Sequence, residues 1–469
     1  MATLSRDVDG WRMNEQPRLP HRVQIGYASA DIGLNTVETA LRIYLLIYYT
    51  DEVGLQSGLA GLAVGLGLVW DAVTDPLMGT ISDRTRDRFG GRRGYLPLGG
   101  VLLALGVWAV FWPPMLDGQA AKFLWLLLSF CALNTGMTVL SVPFMAMAGE
   151  MTENPHERAV LFGWRFAFAN VGAMLAAALP ALFLLDGQRN TAAMHPVSLI
   201  AAGLVVGTAL CSWRATRDVR FLQPPLVRES FGEAFRAPLR NAAFRPLLLA
   251  YVTATIGIGI NAATALFYYR YRLALTESQT QVLLVVFVGV FTLSILGWVR
   301  VARTFGKRLP MVFGASVLGL GTSALYLSLP SGSFTAVLVF GGIGLGWLVG
   351  CIVLIDAMLT DVLDHDFVRT RQLRSGLFFG VWRFASKLAR AGAIAIAGIV
   401  LQIQGFVPQR DVQPPAVETA LMWLFGPGVG GFFLLAAWIL WRYRFDESKQ
   451  AQVQRILARR RVAPHGTSP

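Results

Sequence analysis

Ser57–Ile81 reads SGLAGLAVGLGLVWDAVTDPLMGTI, an apolar run whose only charges are Asp71 and Asp75. It is long enough to cross a bilayer as a helix. The i, i+4 spacing puts both carboxylates on one helix face. One charge at membrane depth costs about 2.5–3.5 kcal/mol. Two like charges side by side cost more, unless a cation or a proton lies between them. A helix bundle that keeps such a pair is expected to use it to bind a cation.

The rest of the chain has the same texture. Of 469 residues, 54% are hydrophobic and 15% charged, where a soluble domain carries about 25%. Apolar windows place twelve membrane helices, at 23–50, 56–81, 95–113, 119–148, 158–186, 195–213, 246–269, 278–299, 309–330, 333–360, 375–403 and 416–441. The expected fold class is an all-α membrane protein. Met1–Arg22 is polar without an apolar core, so no signal peptide is expected and the first span directs insertion. Cys131, Cys211 and Cys351 fall within spans and read as small apolar residues, with no disulfide or metal role.

A net charge of +13 could suggest nucleic acid, but the charges are placed otherwise. With the N-terminus inside, Arg84, Arg86, Arg88, Arg92 and Arg93 fill one cytoplasmic loop. Arg214, Arg217, Arg220, Arg228, Arg236, Arg240 and Arg245 fill or flank the central one, and the tail is basic from Arg442 onward. The outer loops hold Lys122, Arg189, Arg270, Arg272 and Arg410. This positive-inside asymmetry explains the basic charge without nucleic acid. Anionic lipid headgroups are the expected secondary contact. The expectation is an integral protein of a bacterial inner membrane with both termini cytoplasmic.

Three local matches recur at nearly one offset. Tyr48-Tyr49 matches Tyr268-Tyr269, Phe89-Gly90 before a basic pair and Pro97 resembles Phe305-Gly306-Lys307-Arg308-Leu309-Pro310, and Trp164-Arg165-Phe166-Ala167 matches Trp382-Arg383-Phe384-Ala385. Together they indicate two parallel halves of six spans. This divides the chain into a first bundle (1–213), a central cytoplasmic loop (214–245), a second bundle (246–443) and a basic tail (444–469). Such a plan resembles that of the major facilitators, whose site lies at mid-membrane between the halves. Gly79-Thr80-Ile81-Ser82-Asp83-Arg84 resembles their Gly-x-x-x-Asp-Arg signature; the second half keeps Gly306-Lys307-Arg308 but no aspartate.

Other polar residues lie at membrane depth. Asp31, Asn35, Glu38 and Arg42 make one stripe on span 1, which must face the bundle or a wet cavity. Glu38 and Arg42 are spaced to neutralise each other. Asp31 and Asn35 lack a local partner and are candidates for the substrate. Asn134, Thr138 and Ser141 share a face of span 4 and could add oxygen ligands for a hard cation; small polar residues also hold membrane helices together. Span 5 contributes Arg165, with an ion pair to Asp31 as its structural alternative. Span 11 contributes Trp382, Arg383, Lys387 and Arg390. Lys387 is beyond snorkelling range of either end and needs Asp71/Asp75 or the substrate as partner.

On these residues the chain resembles the glycoside–pentoside–hexuronide:cation symporters, a branch of the major facilitators. The resemblance covers nearly the whole chain. It rests on Tyr48–Leu55 (YYTDEVGL), Trp70–Gly79 (WDAVTDPLMG), Ser82–Arg88 (SDRTRDR), Val142–Phe144 (VPF), Asp361–Asp366 (DVLDHD) and Gly376–Lys387 (GLFFGVWRFASK). It implies a coupling cation, Na⁺ or H⁺, at Asp71 and Asp75 with help from Thr138, and substrate roles for Arg165 and Lys387. If sodium is the ion, Asp71 and Asp75 are its metal ligands. Ser141 stands where melibiose permease has a third carboxylate, Asn35 where it has a sugar-binding aspartate, and Met145 where it has a sugar-stacking tryptophan. Sodium-coupled lysolipid transporters of animals are also relatives, and Met137, Met145 and Met147 would suit a softer cavity.

The expectation is therefore a secondary active symporter, not an enzyme, with no cofactor beyond the coupling ion. The major facilitator fold of twelve helices in two six-helix halves would work by alternating access, as a monomer. The substrate is a small polar solute, a glycoside or sugar-like compound, with a lysolipid or other amphiphilic anion as the alternative. No Ser-His-Asp or metal cluster sits in the membrane; His156 and His365 fall in loops. Asp83, Arg84, Arg92, Asp361 and Asp364 are the gating candidates, with Arg84 or Arg92 pairing with Asp361 or Asp364 across the halves.

Overall fold

The computed structural model describes residues 19–84, 91–152, 155–183, 193–219, 221, 231–370 and 375–443. Arg86, Arg88, Phe89-Gly90, Arg189, Arg220, Arg228, Arg374 and the tail from 444 lie outside the described residues. Among those described, eleven helices are long and apolar enough to cross a membrane. They are Ser57–Arg84, Gly91–Phe111, Gln119–Glu150, Val160–Phe183, Met194–Ala215, Phe244–Arg272, Glu277–Phe305, Arg308–Ser328, Phe334–Thr370, Gly376–Ile403 and Pro415–Trp441. A further helix, Ala30–Asp51, precedes them and packs on spans 5, 6 and 7. Its polar stripe keeps it from being uniformly apolar, yet it fills the place of span 1. That gives twelve spans.

Several helices outlast their hydrophobic windows. Span 2 runs to Arg84 and span 10 to Thr370. Asp83, Arg84, Asp361 and Asp364 therefore sit on helix ends, where the sequence suggested loops. The apolar pattern stops where the helix leaves the membrane, but backbone hydrogen bonding does not. His365 is likewise helical, and His156 begins the helix of span 5. In the central segment, Phe231–Arg240 is a helix.

Within the first half, spans 3 and 4 pack closest, through glycines: a Cβ on Gly136 would lie 2.5 Å from the Leu103 nitrogen. Span 2 packs on span 4, and spans 1 and 5 close together at Gly172. In the second half, span 12 packs on spans 7 and 9, and span 11 on span 7. The most extensive contacts between the halves are those of spans 2 and 11, 1 and 7, and 5 and 8.

The repeat is visible in bonds as well as in letters. Tyr48 Oη donates to the Phe111 carbonyl at the end of span 3 (2.9 Å), and Tyr268 Oη donates to the Tyr326 carbonyl near the end of span 9 (2.7 Å). On the opposite face, Arg93 donates to the Thr216 carbonyl after span 6 (3.2 Å), and Arg308 Nε donates to the Leu440 carbonyl of span 12 (3.0 Å). Each half thus ties its third span to its sixth in the same way. The face bearing Arg84, Arg92, Arg93, Lys307 and Arg308 is the basic face of the molecule.

Candidate functional site

A cavity of about 720 Å³ lies at mid-membrane between the halves. Spans 1, 2, 4 and 5 line it from one side and span 11 from the other. Asp71 and Asp75, one turn apart on span 2, both reach Thr138 of span 4, whose Oγ1 lies 2.9 Å from Oδ1 of each. From span 11, Lys387 Nζ lies 2.7 Å from Asp71 Oδ2 and also bonds Asp75. The ammonium sits between the two carboxylates, in the position that their repulsion requires a cation to fill. Asp71 is 6% exposed, whereas the Asp75 side chain keeps 27% of its surface exposed. Spans 2 and 11 approach closely where Gly61 and Gly65 face Ala391, Ile394 and Gly398.

Asn134 and Ser141 line the same cavity. The Asn134 amide nitrogen is held by the Phe130 carbonyl at 2.9 Å, which leaves its oxygen as the ligand it can offer. Thr138 lies behind the carboxylates and bonds both. Among the described residues no group of three or more His, Cys, Asp or Glu is placed to hold a metal ion. A cation here would draw on two carboxylates plus neutral oxygens, a donor set suited to a monovalent hard cation or a proton.

Asp31, which has no partner on its own helix, takes the ion pair given above as the alternative for Arg165: Arg165 Nε lies 2.7 Å from Oδ2 and Nη2 lies 3.3 Å from Oδ1. The close approach of spans 1 and 5 at Gly172 makes this possible, and the guanidinium lies 4.5 Å from the centre of the Phe144 ring. Asn35 donates to the Asp31 carbonyl (2.9 Å) and lines the cavity. Glu38 bonds Arg42 of its own helix and, across the halves, Arg390 of span 11 at 2.9 Å.

Trp382 is not on the cavity wall. It is 3% exposed, its indole donates to Asp356 at 2.9 Å, and its ring lies flat on Tyr251, 3.9 Å between centres. Arg383, its neighbour, lines the cavity. The helix rotates by about 100° per residue, which here turns Trp382 toward Tyr251 and Asp356 and Arg383 toward the cavity. Met145 and Met137 line the cavity, whereas Met147 is wholly buried in the core. Trp70 of the Trp-Asp motif faces outward, exposed, and donates to Thr135 at 3.0 Å.

Among the gating candidates, Arg92 and Asp361 each have a bonded partner in their own half. Arg92 bonds Asp83 and lies 3.3 Å from Glu150 at the end of span 4. Lys307 lies 2.7 Å from Asp361 of span 10. Spans 4 and 10 are equivalent in the repeat, so these two clusters correspond. The expectation that Arg84 or Arg92 pairs with Asp361 or Asp364 stands beside these clusters, in which Arg92 and Lys307 each bond a carboxylate of their own half. Arg84 is exposed at the end of span 2, and Asp364 lies on the basic-face extension of span 10.

On the opposite face the halves are bonded to each other. Arg270 Nη1 of span 7 and Tyr271 Oη lie 2.7 and 2.6 Å from Oδ2 of Asp51, whose side chain is completely buried. Arg270 also lies 2.5 Å from Glu277. Gln409 donates to the Glu52 carbonyl (2.9 Å), and Gln402 to Gln56 (3.3 Å). The sequence reading missed this cluster. Its signal was Asp51 in Tyr-Tyr-Thr-Asp together with arginines in an otherwise weakly charged outer loop.

The profile of the family described as MFS/sugar transport protein matches residues 26–447. A protein of Escherichia coli (strain K12) with the name "Putative glycoside/cation symporter YagG" is 27% identical over 95% of this chain and 96% of its own length. The glucuronide carrier protein homolog of the same organism is 27% identical over 94% and 96%. Among solved structures, a bacterial homologue of the human lysosomal transporter Spinster, inward-facing and unoccupied, superposes with a TM-score of 0.67 at 15% identity, over 92% of this chain and 100% of that one.

Proposed function

The chain belongs to the MFS/sugar transport protein family, and from that premise we propose that it carries a small hydroxylated solute together with a cation, using the mid-membrane cavity for both. It is an integral membrane protein of the symporter class. The observation that carries the detailed reading is Lys387 of the second half lying between Asp71 and Asp75 of the first. A cation arriving at these carboxylates competes with Lys387, whose ammonium ties both of them to the other half. Cation binding and the relative position of the halves are thereby linked, which is what coupling requires.

The cycle follows from the placement of the bonds. With both termini in the cytoplasm of a bacterial cell, the Asp51–Arg270 cluster closes the outer face and the cavity belongs to the inner side. Outward opening must break Asp51–Arg270, Glu38–Arg390 and the span 2–span 11 seam, while the clusters at Arg92 and Lys307 are free to meet across the inner face. In this reading Asp71, Asp75 and Thr138 hold the cation, with Asn134 and Ser141 as further oxygens. Asp31, Asn35, Arg165, Met145 and Lys387 surround the solute, and Trp382 acts through Asp356 and Tyr251. No cofactor is needed, and a monomer suffices.

The amphiphile alternative rests on Met137 and Met145, but nine ionisable side chains on the same wall favour a polar cargo. The test is uptake into proteoliposomes under an imposed Na⁺ or proton gradient, with a panel of glycosides and a lysolipid. Gradient-driven accumulation of a glycoside, lost in Asp71→Asn, is the expected result. Undiminished accumulation by Asp71→Asn would sink this assignment of the cation site, and accumulation of the lysolipid alone would replace the cargo.

A further inference from the structure

The carboxylates at membrane depth are paired, with one exception. Away from the span ends, Asp31 pairs with Arg165, Glu38 with Arg42 and Arg390, and Asp71 and Asp75 with Lys387. Asp356 of span 10 makes no ion pair among the described residues. Its Oδ1 accepts from the Trp382 indole at 2.9 Å, and its Oδ2 takes no bond. The charged or titratable side chains on the surrounding helices are Tyr251 of span 7, Arg300 and Arg303 of span 8, Lys307 before span 9 and Arg383 of span 11. Tyr251 lies on the Trp382 ring, and Lys307 bonds Asp361 and the Ala357 carbonyl. Arg383 lines the cavity and lies 2.6 Å from the Met145 sulfur of span 4, whereas Asp356 is off the cavity wall. None of these groups bonds Asp356.

An unpaired carboxylate stays ionised at this depth only where water reaches it. Asp356 is exposed, and so is Thr360 one turn further on. With Asp364 at i+8 they make a polar stripe that runs toward the inner end of span 10. Trp382, which holds Asp356, is five residues from Lys387, about 7.5 Å along the helix to the inner side. The water at Asp356 is therefore that of the inner side. Closure of the inner face covers the stripe. Asp361, between Asp356 and Asp364, belongs to the Lys307 cluster, which is free to meet the Arg92 cluster of the other half. Spans 4 and 11 already touch beside Trp382, and there the residue that span 4 presents is Met145, which brings no charge.

We propose that Asp356 is a proton site, separate from Asp71 and Asp75, filled from the cytoplasm when the inner face closes and emptied to the cytoplasm when it opens. The proton passes from water to Oδ2 and back, and only that O–H bond forms and breaks. The stripe leads to the inner side, so this proton does not cross the membrane and adds nothing to the coupling stoichiometry. It sets the balance between the two facing states instead. The outward-facing state holds one proton more than the inward-facing state, so an acid cytoplasm favours the former by up to about tenfold per pH unit. The inference rests on the alternating-access cycle above, but not on the identity of the solute or of the coupling cation.

The test sets the pH on one side at a time. Ser57→Cys, buried while the outer face is closed, is placed in a background lacking the native cysteines. It is labelled from outside with an impermeant thiol reagent in right-side-out vesicles, without solute and at fixed outer pH and Na⁺. Lowering the inner pH from about 8 to about 6 is expected to speed labelling at least about tenfold. With Asp356→Asn added, labelling is fast and indifferent to inner pH; Asp356→Glu keeps the dependence. Trp382→Phe, which removes the donor to Oδ1, moves the midpoint to higher pH. Labelling indifferent to inner pH without these changes overturns the inference, and so does a dependence that survives Asp356→Asn. A dependence that follows the outer pH overturns the one-sided path. If Asp356→Asn does not insert, an unmoved midpoint in Trp382→Phe overturns the assignment to Asp356. Failure of gradient-driven uptake would remove the symport reading and leave this measurement unaffected, because it uses no cargo.

Discussion

Asp51 of the first half and Arg270 of the second are bonded at 2.7 Å, with the aspartate side chain fully out of solvent and a second donor, Tyr271, on the same oxygen. Removing one partner of a buried ion pair costs about 3–5 kcal/mol, because the other is left uncompensated. That cost falls only on the state in which the pair is closed, so it shifts the population between states. Asp51→Asn is therefore expected to favour opening at this face. In a background lacking the native cysteines, Ser57→Cys, buried in the closed state, should react faster with an impermeant thiol reagent once Asp51→Asn is added. Unchanged reactivity would remove the latch role.

The seam between spans 2 and 11 makes an independent demand on the same closure. A Cβ on Gly398 would lie 2.3 Å from the Ser57 carbonyl oxygen and 3.1 Å from the Gly61 Cα, both backbone atoms. Neither can yield without moving a helix. Gly398→Leu is expected to hold the halves apart at this face, with membrane insertion intact and transport reduced at least about tenfold, as one hindered step of the cycle implies. The double variant with Asp51→Asn should be little worse than Gly398→Leu alone, since both act on one closure. Normal transport by Gly398→Leu would mean that this contact opens little during the cycle.

How much of this was legible beforehand depends on the kind of residue. Lys387 and the Asp71/Asp75 pair were readable because a mid-span charge has few partners to choose from. The direction of Trp382 was not, because a residue at the edge of a helix face can turn to the cavity or to a neighbouring helix and the sequence does not say which. Asp51–Arg270 was invisible for another reason: charges at span ends are ordinary topogenic features, and these are 219 residues apart. The extended ends of spans 2 and 10 were missed because hydrophobicity measures the membrane, not the helix. The Arg93 and Arg308 braces could be inferred only after the repeat was seen as a set of bonds.

The Asp31–Arg165 pair separates architecture from recognition. Both side chains are about nine-tenths buried, at 8% and 10% exposure. Asp31→Asn alone leaves the arginine unmatched on the Phe144 ring and is expected to lower stability by about 3–5 kcal/mol. Arg165→Gln alone should cost a similar amount. The double variant should recover much of the loss, because two neutral polar groups can bond each other. Thermal midpoints of the four proteins check this. Additive losses would show that each residue has its main partner elsewhere.

Lys387 makes the sharpest demand on the coupling reading, because its ammonium stands where a coupling cation would be attracted. Two arrangements are possible in principle, and they differ in sign. If the cation replaces Lys387 between Asp71 and Asp75, Lys387→Gln removes a competitor. The variant should then bind the cation at least about tenfold more tightly, while losing the bond that reports cation occupancy to the second half. Without the cation it should be less stable than wild type by about 3–5 kcal/mol, because two carboxylates lose their counter-ion. Saturating cation should restore most of that loss. If the cation instead sits beside Lys387, the variant gains no affinity. The 2.7 Å contact to Asp71, together with the bond to Asp75, favours replacement: an ammonium at that distance from one carboxylate and bonded to the other leaves no room between them for a second ion. Cation-dependent stabilisation and transport, measured side by side on Lys387→Gln, decide the point. The expected outcome is tighter cation binding with transport lost; weaker binding in the variant would show that the lysine helps to build the site rather than to fill it.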